Sequence, residues 1–170
     1  SVLSGTLKPA QRGITALIGK IAGKFGAKLK LSAHIDKLLK GMTQVHADWL
    51  QQHETRLRIA QKADKLFDQY DVILTPVVHV PAFKHQPKPA MHKRKLHVNG
   101  LPGPYTDIFM WIAPATLMGL PATSAPVGST KNGLPVNIQI LGRKYHDKTT
   151  IEFASLLEKS FRGFIKPEGY

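Results

Sequence analysis

The chain has 170 residues with no cysteine, and its 24 lysines and arginines against 11 aspartates and glutamates give a formal charge of +13. Without cysteine, disulfides and cysteine-rich zinc sites are excluded. No apolar run approaches the roughly 18 residues of a membrane-spanning helix, so a cytoplasmic protein is expected.

Lys8, Arg12, Lys20, Lys24, Lys28, Lys30, Lys37 and Lys40 face only Asp36 in the first forty residues, and residues 1–48 read as a basic, weakly assigned helical region. Within it Ile14, Leu17, Ile18, Ile21, Phe25 and Leu29 recur at helical spacing over 13–31, beside a lysine row at 20, 24 and 28. Gly19, Gly23 and Gly26 each weaken that helix by about 1 kcal/mol relative to alanine, so its stability depends on docking or on a membrane surface. Gly23-Lys24 is no phosphate loop: the upstream glycine spacing is short, and Phe25 stands where a Ser or Thr would hold magnesium.

A second helix is predicted over 32–69, broken near Gly41, with Val45, Trp49, Leu57, Ala60, Ala63 and Phe67 as its apolar stripe. Asp71 is the cap or turn acceptor leading into a short buried strand, Val72 to Leu74, which Pro76 ends by removing a donor. Residues 77–104 lack periodicity and read as a long surface excursion. Its Lys84, Lys88, Lys93, Arg94 and Lys95 alternate with His85, His92 and His97. Such a cluster reads as a solvated surface or one facing an acidic partner, with nucleic acid and anionic membrane open as alternatives.

Residues 106–118 predict a helix bearing Ile108, Trp111, Ile112, Ala115 and Leu117. Ala122 to Val127 and Val136 to Leu141 are runs of strand length separated by Lys131-Asn132-Gly133, a hairpin signal because Asn and Gly both tolerate positive φ. Pro121, Pro126 and Pro135 lie at the run edges, where a missing N–H disturbs the ladder least. A last helix starts at Asp147 as N-cap, burying Ile151, Ala154, Leu157 and Phe161 and leaving Glu152, Glu158 and Lys159 in water. This order of helix, strand, loop, helix, hairpin and helix predicts an α/β layer, a mixed sheet flanked by helices.

Chemistry is sparse in these elements. Ser124, Ser129 and Lys131 sit in and beside the hairpin without a glycine-rich oxyanion turn, and read as ladder and turn residues. His53 reads as a packed or half-exposed helix residue, and His79, His85, His92 and His97 lack the carboxylate or cysteine partners of an ordinary zinc site. No metal and no cofactor is expected, and Gln139 reads as a structural strand residue.

Several segments together resemble the amidase signature family, serine hydrolases that split amide bonds with a Ser/Ser/Lys triad. They are Gly119-Leu120-Pro121-Ala122-Thr123-Ser124-Ala125-Pro126-Val127-Gly128, Gly133 to Gly142, Phe67-Asp68-Gln69-Tyr70-Asp71-Val72-Ile73-Leu74-Thr75-Pro76, Pro81-Ala82-Phe83, Val98-Asn99-Gly100 and Pro104-Tyr105-Thr106-Asp107. Trp49 and Arg56 extend the likeness, which runs from about Trp49 to Leu157. Asn137 departs from it, since the family usually has glycine there. The resemblance implies the C-terminal part of an amidase-signature fold, one partial domain over 1–170. The Gly/Ser-rich loop and the lysine belong to the family's N-terminal part, and the opening Ser1 without methionine also suggests a fragment. The chain then holds no catalytic residue, and its partners are the missing half, a small-molecule amide substrate and, as an open option, further copies of itself. Phe83, Tyr105, Ile108, Trp111 and Ile112 are the implied acyl-side pocket residues, with Trp111 equally readable as core. A chain related to the tRNA-dependent amidotransferases and a basic membrane- or nucleic-acid-binding module are the rival readings.

Overall fold

The computed structural model describes residues 40–161 and 163–166, apart from the side chain of His92. The helix expected over 13–31, the Gly23-Lys24 segment and the start of the second helix lie outside the described residues. The chain divides into two units, Ser1–Thr55 and Arg56–Tyr170. The architecture below is that of the second, apart from the N-terminal part of the first helix.

Residues 40–43 are helical, and the helix breaks at Gln44 and Val45, a little beyond the expected Gly41. Helix α1, His46–Asp64, follows, its first bond running from the Trp49 amide to the Val45 carbonyl at 3.1 Å. A 3₁₀ turn over Lys65–Asp68 closes the segment. The expected stripe is present as spacing but only partly as burial: α1 has no fully buried residue, Val45, Trp49 and Leu57 are exposed, Ala60 and Ala63 are half-buried, and Phe67 in the turn is buried. Periodicity shows that a helix face is apolar, and says nothing of what covers it.

Strand β1, Val72–Pro76, is longer than expected and only half-buried. Asp71 is exposed and makes no side-chain hydrogen bond among the described residues, so it does not cap the junction as expected. The excursion over 77–104 contains regular structure that its sequence hid. Strands β2, Lys95–Val98, and β3, Leu101–Pro104, pair antiparallel. They are joined at Asn99-Gly100, whose φ values of 52° and 82° suit a two-residue turn matched to the sheet twist. Leu96, 3% exposed, anchors this ribbon.

The helix expected over 106–118 is divided. Tyr105–Phe109 is 3₁₀, and only Ala113–Met118 forms α2, with Pro114 in its first turn. Proline lacks the N–H for a bond to the preceding turn and crowds its carbonyl, so a continuous α-helix through 114 is disfavoured while a start there is natural. Strands β4, Ala122–Ser129, and β5, Pro135–Gly142, form the expected hairpin. Its turn differs from the expected one. The Gly133 amide donates to the Thr130 carbonyl at 2.9 Å, and Gly133 has φ +79°, while Asn132 stays at negative φ. This is the three-residue loop of a type I turn followed by a left-handed glycine. Pro126 lies inside β4 rather than at its end, and is tolerated because β4 is an edge strand with its register shifted between Pro126 and Gly128.

The sheet order is β1-β5-β4, all antiparallel, with β5 central. Gln139, Ile140, Leu141 and Gly142 are buried in succession, which requires cover on both faces of β5. Helix α3, Asp147–Ser160, packs on β4 and β5. His146 is the N-cap residue, without a side-chain bond, and Asp147 falls in the first turn instead. The buried face is turned from the expected one: Ile151 and Phe161 are 61% and 70% exposed, while Thr150 is 1% exposed and Phe153, Ala154 and Leu157 are half-buried. The spacing 150, 153, 154, 157 is a helical face, and close approach sets it. A Cβ at Gly142 would lie 2.6 Å from Thr150 Cγ2, and the Thr150 hydroxyl meets that of Thr123 at 2.8 Å.

Candidate functional site

Strand alternation puts Ile140 and Gly142 with Thr123 on the α3 side of the sheet, so Gln139 faces the other way. There its side-chain amide donates to Thr75 Oγ1 and to the Trp111 carbonyl, both at 2.9 Å. Gln139 is 6% exposed. One buried amide therefore ties β1 and β5 to the turn between the 3₁₀ segment and α2. A structural role for Gln139 is expected from the sequence, but this bridging position is not visible there, because its partners lie 64 and 28 residues away. A few residues along, Asn137 Nδ2 donates to Ser124 Oγ at 3.1 Å.

Of the implied pocket residues, the structure brings Phe83 and Tyr105 together, their rings 5.8 Å apart and edge to face. Arg94 stands 5.4 Å from the centre of the Tyr105 ring, and the Tyr105 amide donates to the Arg94 carbonyl. Ile108 and Ile112 are half-buried, and Trp111 is 40% exposed, so it does not simply close the core. No hydrogen bond or ring stacking joins these three side chains to the Phe83–Tyr105 pair among the described residues.

Two open clefts flank the segment after β1. The larger, about 460 Å³, is mostly apolar and runs from Pro76 to Ala82 against Pro135, Val136 and Asn137. The smaller, about 250 Å³, is lined by Val80, Phe83, Lys84, Gln86, Lys95, Leu96 and His97. Phe83 is the one implied pocket residue that lines either of them. A third cleft, about 420 Å³, lies between α1 and the residues Met118, Leu120 and Lys144.

Beside it, Arg143 forks onto Asp64 at 3.0 and 2.6 Å and reaches Asp68 at 3.1 Å. The hydrogen bond from Arg143 holds the Asp64 carboxyl below its ordinary range, and that bond in turn raises the guanidinium. Nothing in the sequence anticipates this fork, since no local spacing announces a pair so far apart along the chain.

Catalytic chemistry does not assemble from these groups. Ser124 Oγ accepts from an amide, which takes no proton, so the serine is not activated as a nucleophile. No hydrogen bond joins Ser124, Ser129 and Lys131 among the described residues. His46, Trp49 and His53 stack in a row, with ring centres 5.8 and 4.9 Å apart. Among the described residues no three His, Cys, Asp or Glu side chains come together as metal ligands, and no helix is long and apolar enough to cross a membrane.

The arrangement has known counterparts. A fatty acid amide hydrolase of Medicago truncatula is 34% identical over 114 residues, covering 66% of this chain and 18% of that protein. A glutamyl-tRNA(Gln) amidotransferase subunit of Koribacter versatilis is 31% identical over 134 residues, covering 79% and 26%. The crystal structure of the corresponding glutamyl-tRNA(Gln) amidotransferase subunit from Thermotoga maritima superposes with a TM-score of 0.53 at 30% identity, over 81% of this chain and 28% of that one. The chain thus spans about a fifth to a third of the length of the relatives it matches. Hairpin, flanking helices and the Phe67–Pro76 segment all fall within or overlap the stretch, residues 8–151, that matches the family model Amidase, and the chain belongs to the amidase family.

Proposed function

We propose that this chain supplies the substrate-shaping part of a carboxamide hydrolase, which converts a non-peptide C–N bond to a carboxylate and ammonia or an amine. The observation that carries this reading is the family match over residues 8–151. The edge-to-face pair of Phe83 and Tyr105 supports an apolar wall on the acyl side, with Ile108, Trp111 and Ile112 continuing it. In this reading the chain contributes positioning and the nucleophile lies elsewhere in the enzyme; among the described residues Ser124 is bonded to Asn137, whose amide takes no proton. Without nucleophile and base, little of the rate enhancement of such an enzyme survives.

The purified chain is expected to show no amide hydrolysis above buffer and no labelling by serine-directed covalent probes. The coding sequence upstream of Ser1 is expected to encode a Gly/Ser-rich loop and an earlier lysine, and the longer polypeptide to release ammonia from carboxamides. Turnover by the 170-residue chain that disappears in Ser124→Ala or Ser129→Ala overturns the reading.

A second reading, one chain of an amidotransferase that works with a partner, draws on the wider coverage of this chain by the Koribacter versatilis subunit, 79% against 66% for the fatty acid amide hydrolase. Glutamine as the preferred ammonia donor of the longer polypeptide selects that reading, and aliphatic amides as preferred substrates select the first.

A further inference from the structure

Between Asp71 and Asp107 the chain has no acidic residue, while Lys84, Lys88, Lys93, Arg94 and Lys95 all fall within the interval. Arg94 is engaged in structure, donating to the Pro89 carbonyl at 2.8 Å and lying against the Tyr105 ring. Lys84 and Lys95 are not. Both are exposed, neither ammonium has an ion-pair partner among the described residues, and both line the 250 Å³ cleft.

The ribbon explains how two distant lysines come to share that cleft. Lys95 and His97 alternate with the buried Leu96 along β2, so they lie on its exposed face. Gln86 Nε2 donates to the Lys95 carbonyl at 3.1 Å, which fixes the segment carrying Phe83 and Lys84 along the strand. Two exposed lysines lining one concavity make it a positively charged surface, which favours an anion there. Of the rest of the lining, Val80, Phe83 and Leu96 are apolar, and Gln86 and His97 are polar. Val80 lines this cleft and the larger apolar one next to it, so an apolar group leaving the first has a surface to follow.

We propose that this cleft binds an organic anion, a carboxylate or phosphate head on an apolar body. Lys84, Lys95 and His97 receive the head, and Phe83 and Val80 receive the body. An inorganic anion meets only the cations, and a neutral amphiphile leaves the two ammonium groups uncompensated.

The test is equilibrium dialysis of the full 170-residue chain against octanoate, octyl phosphate, butyrate and octanol. Octanoate or octyl phosphate is expected to be retained, the tighter of the two identifying the head group. Butyrate and octanol are expected to bind at least about tenfold more weakly. Lys84→Gln with Lys95→Gln is expected to weaken the retained ligand by about tenfold or more, through loss of charge-assisted bonds, with an unchanged circular dichroism spectrum. A charge-matched control, Lys148→Gln with Lys159→Gln on α3, is expected to bind as the unaltered chain does, and Phe83→Ser to bind more weakly. Should the double variant misfold, Lys84→Gln alone provides the comparison, with a smaller loss expected. Equal binding of octanol and octanoate, equal effects of the two double variants, no loss in Lys84→Gln, or no retention of either anion overturns the proposal.

Discussion

Gln139 and Gly142 are two strand residues three positions apart whose substitution probes the two faces of one sheet. On one face the Gln139 amide satisfies a hydroxyl and a carbonyl together. Gln139→Leu keeps the bulk and removes both donors, leaving Thr75 Oγ1 and the Trp111 carbonyl without them. A loss of about 1–3 kcal/mol in folding free energy is expected, measured by urea titration of the variant against the unaltered chain. On the α3 face, Gly142→Ala sets a methyl 2.6 Å from Thr150 Cγ2, an atom that swings away only by breaking the bonds of the Thr150 hydroxyl to the Asp147 carbonyl and to Thr123. Overpacking of this kind costs about 1–3 kcal/mol. Thr150→Ser removes the offending methyl and keeps the hydroxyl that meets Thr123, so the pair Gly142→Ala, Thr150→Ser is expected to be less destabilised than the sum of its singles. Additive losses show that the approach of helix and strand is looser than the structure has it.

At the scale of elements, a charge fork joins α1 to the end of the central strand. Arg143 follows β5 directly and holds Asp64 in the last turn of α1 and Asp68 in the 3₁₀ turn beyond it. The Asp64 carboxyl sits below its ordinary value of 3.8 because Arg143 bonds its charged form. The folded-state value is thus depressed, so the stabilisation is fully present above the ordinary value and is lost as pH falls through the lower, folded one. The stability difference between the unaltered chain and Arg143→Gln is therefore expected to be flat near neutrality and to narrow only in acid, below pH 3.8. All three side chains are substantially exposed, so the difference is small and shrinks with added salt. A difference that persists unchanged in acid assigns the arginine a packing role instead. Elements of this kind differ in how far the amino-acid pattern announces them. The β4–β5 hairpin is legible because two apolar runs flank an Asn-Gly, and the strand over 72–76 because a short apolar run ends in proline. The β2–β3 ribbon carries the same Asn-Gly signal at 99–100 and still stays hidden, since Pro102 and Pro104 interrupt the alternation of its second strand. The helix expected over 106–118 fails at Pro114, where apolar spacing continues but the backbone bond does not. In the candidate site the aromatic pair Phe83–Tyr105 is named by the resemblance, but the cleft between Phe83 and β2 depends on the hidden ribbon.

Across the whole molecule, apolar side chains lie outside the described core in numbers that no solvated surface needs. Val45, Leu50, Leu57 and Ile59 are exposed on and beside α1, Ile151 and Leu156 on α3, and Phe109, Met110 and Leu117 along the 105–118 segment. The sheet adds to this, because β1 and β4 are its outer strands and each presents one edge with no partner strand among the described residues. An open edge is a template for another strand, and apolar faces of this kind associate in water. The same chain nonetheless carries a formal charge of +13, which opposes close approach of copies at low ionic strength and is screened as salt rises. Self-association of the isolated chain is therefore expected to grow with both protein concentration and salt, followed by light scattering on a sizing column, and to be accompanied by binding of a hydrophobic dye. Leu57→Lys with Ile151→Lys, which places charge on two exposed apolar positions without entering the core, is expected to reduce both signals. A monodisperse monomer that unfolds cooperatively and binds no dye, at high salt as at low, shows instead that these faces are stable in water and that the segment stands as a domain on its own.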